Sequence, residues 1–161
     1  MGEFIGAEIK GGKALEVFFR RLGDQLTSEQ VLDTVGALLL DRHRKRFLDE
    51  VNPDGVPWEP SIAGFFRRGE GDTGTLFDTG SLFNSIDLFR KSSNVRSIGV
   101  NPSTRNRETG EPVENYALIH QLGLEGQPKR EFLGFGADDG SAVEAVMLSL
   151  FKRAARAART R

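Results

Sequence analysis

The stretch from Thr27 to Phe47 restricts the fold more than any other part of the chain. Thr27-Ser28-Glu29-Gln30 sets a hydroxyl cap three residues before a glutamine, a reciprocal pairing that satisfies free N–H groups at a helix start. Leu32, Leu39, Leu40, His43 and Phe47 then share one face at helical spacing, and the run stops near Asn52-Pro53-Asp54-Gly55. A helix with one apolar side needs a covering surface, because isolated helices are marginal in water. The rest of the chain must supply it. The opposite side carries Arg42, Arg44, Lys45 and Arg46, interleaved with Asp41, Asp49 and Glu50. That mixture predicts a solvated face, with phosphate contact as the competing use.

Two further helices and a hairpin are expected. Leu15, Phe18, Phe19 and Leu22 predict a helix from about Lys13 to Leu22 or Asp24, after a weakly alternating Phe4–Ile9 that reads as a strand and a break at Gly11-Gly12. Ile86–Arg90 and Val95–Val100 read as antiparallel neighbours joined by Lys91-Ser92-Ser93-Asn94. Gly140-Ser141 is expected to open a last helix, with Val143, Val146, Met147, Leu150 and Phe151 as its apolar stripe. Between them, Pro102–Glu114 has no periodicity and predicts a long, exposed, irregular loop without fixed structure. The expected class is α+β: an antiparallel sheet packed against amphipathic helices in one domain spanning 1–161, which is a length that supports a single core. Residues 1–12 and 154–161 are expected as mobile ends, and 102–114 as the exposed loop.

Composition narrows the function classes. A formal net charge of −1 provides no global excess that would demand a nucleic-acid partner. Positive charge is local instead: Lys152, Arg153, Arg156, Arg159 and Arg161 alternate with alanines, as either a solubilising end or a surface for DNA or an acidic subunit. The chain has no cysteine, which excludes disulfides and thiolate metal sites and permits a reducing compartment. Its two histidines, His43 and His120, are thin material for a metal site, and no metal or cofactor is expected. Leu38-Leu39-Leu40 is followed at once by Asp41 and Arg42, so no apolar run approaches the roughly 20 residues of a membrane span. The opening residues lack a myristoylation pattern and a basic-then-apolar leader, and a cytoplasmic product is expected.

Three motifs invite chemical readings. Gly69-Glu70-Gly71-Asp72-Thr73-Gly74 matches the spelling of a dinucleotide loop but lacks the preceding strand and the following helix, so it reads as a surface loop. Asp78-Thr79-Gly80-Ser81 spells the aspartic-protease tetrapeptide, and Phe132-Leu133-Gly134 resembles the segment that packs beneath it in homodimeric proteases of the retroviral type. Two Asp78 carboxylates sharing a proton would then serve as acid and base. Against this, Leu82, Phe83 and Ile86 follow at helical spacing, Thr79 can cap that helix, and amphipathic helices flank the motif where such proteases are nearly all strand. Tyr116 and His120, four apart, would share one side of a helix as an acid–base pair, yet no nucleophile stands beside them. A hydrogen-bonded His120 and an anchoring Trp58 are the preferred readings.

The order of four stretches carries a resemblance. An amphipathic helix leads to Pro53, Gly55, Trp58 and Pro60; next come Phe77, Thr79, Gly80, Leu82 and Ser85; then Tyr116, Ala117, His120, Gln121 and Gly123; last Pro128, Arg130, Phe132, Leu133 and Gly134. From about Leu32 to Phe151 the chain resembles the virion morphogenesis and tail-completion family of tailed bacteriophages. Gly69–Gly74 and Pro102–Glu114 depart from the pattern. The resemblance implies an α+β structural subunit of the head–tail interface, a tail terminator or neck component that forms a closed, sixfold ring with copies of itself. It implies neighbouring connector and tail-tube proteins as partners, non-specific contact with channel DNA, and a path from host cytoplasm to virion. It implies no catalytic residue and no cofactor, and gives the landmark residues structural or interface roles.

Overall fold

The computed structural model describes residues 12–62, 64 and 74–159. In chain order these form α1 (Gly12–Gln25), α2 (Ser28–Asp49), α3 (Ser81–Ser85), β1 (Ile86–Ser92), β2 (Val95–Val100), α4 (Val113–Leu122) and α5 (Ala137–Arg159). The class is α+β, with a two-stranded antiparallel sheet among the described residues. The Phe4–Ile9 strand expectation, Gly69, Gly71 and Arg161 lie outside the described residues.

The capping box of α2 forms as its sequence dictates. Gln30 N donates to Thr27 Oγ1 at 3.2 Å and Thr27 N donates to Gln30 Oε1 at 3.0 Å. At the other end Glu50 adopts a left-handed conformation (φ 56°) that turns its N–H back onto the last helical carbonyls. Its carboxylate accepts from Thr75 N at 2.7 Å and from the Thr75 hydroxyl at 3.2 Å, tying the end of α2 to the approach to α3.

The hairpin is the surface that covers α2. Ile86 pairs with Val100 and Arg90 with Arg96, so both expected strands stand in the expected antiparallel arrangement. Leu88 lies against Gly36 of α2, where an added Cβ would sit 2.8 Å from a leucine methyl. Arg90 pairs with Glu29, and Arg96 Nε donates to Asp33 Oδ1 at 2.5 Å. The core collects Phe47, Trp58, Leu82, Ile86, Val113, Ala117 and Phe132 from six parts of the chain. Phe47 is its hub, with ring centroids 5.5 Å from Trp58 and 5.8 Å from Phe132, both near edge-to-face.

Several local expectations need correction. The basic side of α2 is not a solvated face. Arg46 is buried, Arg44 donates to the Ile86 carbonyl at 2.9 Å, and Arg42 and Arg46 both bond Asp139; Lys45 remains exposed with Asp49 at 2.7 Å. The cause is a carboxylate far along the chain, beyond the reach of any spacing rule. The loop after β2 is exposed but structured: Asn106 N donates to Glu111 O at 2.8 Å, Gly110 N donates to Asn106 O at 2.9 Å, and Arg105 bridges to Pro112. Val113, fully buried, and Glu114 belong to α4, not to the loop. The last helix opens at Ala137, so Gly140 and Ser141 lie inside it. Asp139 accepts from Gly136 N at 2.8 Å and is the acid at that helix start. Met147 and Phe151 of the expected apolar stripe are exposed, while Ala154 and Ala158 are buried and the helix continues through Arg159.

Candidate functional site

A strap without regular structure, Arg130–Gly134, brings the landmark stretches together. A buried segment with no strand partner must find hydrogen bonds elsewhere, and here side chains provide them. Gln121 of α4 accepts from Phe132 N and Leu133 N, each at 3.1 Å, and donates through Nε2 to Leu133 O at 2.7 Å. Trp58 Nε1 donates to Glu131 O at 3.1 Å, and Arg130 Nε donates to Glu59 O at 2.8 Å. From α2, His43 Nε2 accepts from Gly134 N at 3.2 Å and Arg46 donates to Gly134 O at 3.3 Å. With Gly134 N donating to Nε2, the other ring nitrogen, Nδ1, is left to carry the hydrogen that Leu39 O accepts at 2.6 Å.

The turn into the strap depends on Gly123. It ends α4 at φ 70°, and an added Cβ would meet Lys129 backbone at 3.0 Å, so both conformation and space favour glycine. Arg130 N then donates to His120 O at 2.8 Å, and Arg130 Nη1 donates to His120 Nδ1 at 3.3 Å. Burial, and then the Arg130 charge, hold the His120 pKa below its usual 6.5. His120 is therefore a neutral acceptor.

Beside the strap, α4 and α3 enclose a cleft of about 280 Å³, lined among others by Asp78, Thr79, Ser81, Glu111, Tyr116 and His120. Tyr116 and His120, four apart on α4, both line it, so they share one side of the helix as their spacing predicts. Burial pushes the Tyr116 phenol above its usual range against an opposing hydrogen bond from Asn106, and the charges of Glu111 and Asp78 add to the rise. A neutral phenol and a neutral imidazole can hold a polar group. The Ser81 hydroxyl is engaged by Thr79 Oγ1 at 2.6 Å and accepts from Arg107 N at 3.2 Å, so its hydrogen bonds go to these groups and not to His120.

Asp78 is exposed at the lip of this cleft and the chain passes directly into α3. Thr79 does not cap that helix as expected. Gly80 is the N-cap (φ 72°), and Thr79 Oγ1 accepts only a long 3.3 Å bond from Ser81 N. Phe77 packs at the margin of the core on Phe83, with ring centroids 5.4 Å apart, and the buried Ser85 hydroxyl donates to Leu82 O at 2.6 Å.

Thus Trp58, His120, Gln121, Gly123, Arg130, Phe132 and Gly134 converge on the strap, Thr79, Gly80 and Tyr116 on the cleft, and Phe77, Leu82 and Ser85 on the core. A family model described as the phage virion morphogenesis family matches residues 11–152, a span that includes all four landmark stretches. The chain belongs to this family. It is also similar to Mu-like prophage FluMu G protein 1 of Haemophilus influenzae, with 26% identity over 136 residues that cover 80% of this chain and 83% of that protein. No solved structure is a significant match.

Membership in the phage virion morphogenesis family makes this a phage morphogenesis protein, and its C-terminal basic residues stand apart from the strap. Lys152, Arg153, Arg156 and Arg159 are exposed along the last turns of α5. Among the described residues, no group of three His, Asp or Glu could hold a metal ion, and no helix is long and apolar enough to cross a membrane. Sequence reasoning missed Asp139, which is fully buried. Burial alone would raise its pKa, but hydrogen bonds from Arg46, Arg42 and Gly136 N, with the Arg46 charge, bring it down to about 2. Two acids open α5, Asp138 and Asp139, and nothing in their spacing marks the second as the one that receives two arginines.

Proposed function

We propose that the protein is a tail-completion or neck subunit that closes a sixfold ring of its own copies at the head–tail junction, and that it acts by assembly without catalysis. The observation that carries this reading is the use made of the landmark side chains. Trp58, Gln121 and Arg130 hydrogen-bond the backbone of the strap and its surroundings, and His120 accepts from Arg130. These bonds hold a shape, which is the work of an assembly subunit. Connector and tail-tube proteins are the neighbours, and the protein passes from host cytoplasm into the virion.

Three experiments test the reading. A phage lacking the protein should accumulate filled heads and finished tails that stay apart, with joining restored by the purified protein; the parent should form rings in electron micrographs. Normal joining without the protein, or a strict monomer in finished particles, overturns the proposal. Asp78→Asn should leave joining intact, and loss of a peptidase activity in that variant would overturn the non-catalytic assignment.

The basic end of α5 docks on an acidic patch of the adjoining ring, since a segment that clung to DNA would hinder its passage. Removing 154–161 would also strip away the buried Ala154 and Ala158. Arg153→Gln with Arg159→Gln is the cleaner variant: it should lower joining while rings persist. Unchanged joining, with salt-dependent DNA retention lost, would favour channel contact instead.

A further inference from the structure

The outer faces of α4 and α5 carry matched stripes that no other element among the described residues covers. On α4, Glu114, Leu118 and Leu122 recur every four residues, and the two leucines are 53% and 54% exposed. Leu118 and Glu114 border an apolar groove of about 200 Å³, floored by Val100, Ala117, Phe132 and Leu133. On α5, Leu148 and Lys152 stand four apart, and Phe151 lies one turn from Leu148; Leu148 is 51% and Phe151 47% exposed. Neither Glu114 nor Lys152 has an ion-pair partner among the described residues.

We infer that the α5 face of one copy, Leu148, Phe151 and Lys152, seats in the α4 groove of a second copy, with Lys152 meeting Glu114. This rests on the ring reading above and specifies the contact that builds it. The stripes run in opposite order: acid then leucines along α4, apolar residues then lysine along α5. Antiparallel helices therefore set leucine on leucine and lysine on glutamate in one register, because four residues advance each helix by about 6 Å. Two different surfaces on one chain make a head-to-tail contact, which closes into a ring when the rotation between copies allows. A self-complementary patch would stop at a dimer. The floor of the groove also explains the position of the strap, since Phe132 and Leu133 are held there by Gln121.

The test uses the full chain and sedimentation velocity. Leu118→Asp and Phe151→Asp each alter an exposed position, so each should keep the parent circular dichroism and sediment as a monomer. Mixed in equal amounts, they retain one intact contact, and should give dimers and nothing larger. Glu114→Lys and Lys152→Glu should each lose most ring assembly, and the double exchange should regain it. A monomeric parent overturns the ring reading and the interface with it. A ring-forming parent whose Leu118→Asp or Phe151→Asp variants still form rings, or whose mixture gives no dimers, overturns this interface and leaves the ring reading standing.

Discussion

Replacing Asp139 by Asn should be among the most damaging single changes in the molecule outside the aromatic core. The carboxylate has no solvent exposure, and it binds Arg42 Nε at 2.5 Å, Arg46, and Gly136 N at 2.8 Å. Its folded pKa of about 2, against 3.8, makes ionisation worth about 2 to 3 kcal/mol of stability at neutral pH, at roughly 1.4 kcal/mol per unit. Removing the charge also leaves Arg46, with a side chain only 10% exposed, buried without its partner, and breaking a buried pair from one side typically costs about 3 to 5 kcal/mol. The two contributions overlap, because the same Arg46–Asp139 contact underlies both. An expected loss near 3 kcal/mol is large beside the marginal stability of a domain.

Urea unfolding followed by circular dichroism, on parent and Asp139→Asn from neutral pH to pH 2, measures the effect. The sign follows from a depressed carboxylate pKa: its stability contribution is present above 3.8 and is lost as pH falls toward about 2. The gap between parent and variant should therefore be widest at neutral pH and narrow across that window. A second variant, Arg46→Met with Asp139→Leu, should recover part of the loss by removing the two most buried charges and leaving Arg42, 30% exposed, to turn to solvent. A gap below about 1 kcal/mol at neutral pH, or one that does not change between pH 4 and pH 2, would refute the buried triad as the anchor between α2 and α5.

Trp58→Ala should cost about 3 to 5 kcal/mol in urea unfolding, because it empties a core position beside Phe47 and frees the Glu131 carbonyl. Gln121→Glu keeps the acceptors for Phe132 N and Leu133 N but replaces the donor to Leu133 O with a charge; a loss of about 1 to 3 kcal/mol is expected by the same method. His120 has a lowered folded pKa, so its contribution is present above 6.5 and is lost as pH falls below it. His120→Gln should flatten that part of the stability–pH curve, and an unchanged profile would show that the histidine is not held neutral.

The helices and hairpin were legible because their causes are local. Thr27 and Gln30 stand three apart, and that spacing alone closes the capping box; Ile86–Arg90 and Val95–Val100 alternate across a polar turn, and they pair. The landmark residues were legible as a set by their order along the chain, but their task was not. That Gln121 would grip Phe132 and Leu133, or that His43 would accept from Gly134, depends on where a strap without secondary structure lies against two helices. Helix starts and charged faces went astray for the same reason. Asp139 opens α5 in place of Gly140-Ser141, and it draws Arg42 and Arg46 inward from a face that spacing assigns to solvent. Caps, turns and periodic faces are written within a few residues of sequence; a buried charge is decided by whichever opposite charge the fold brings to it, and only the tertiary structure makes that introduction.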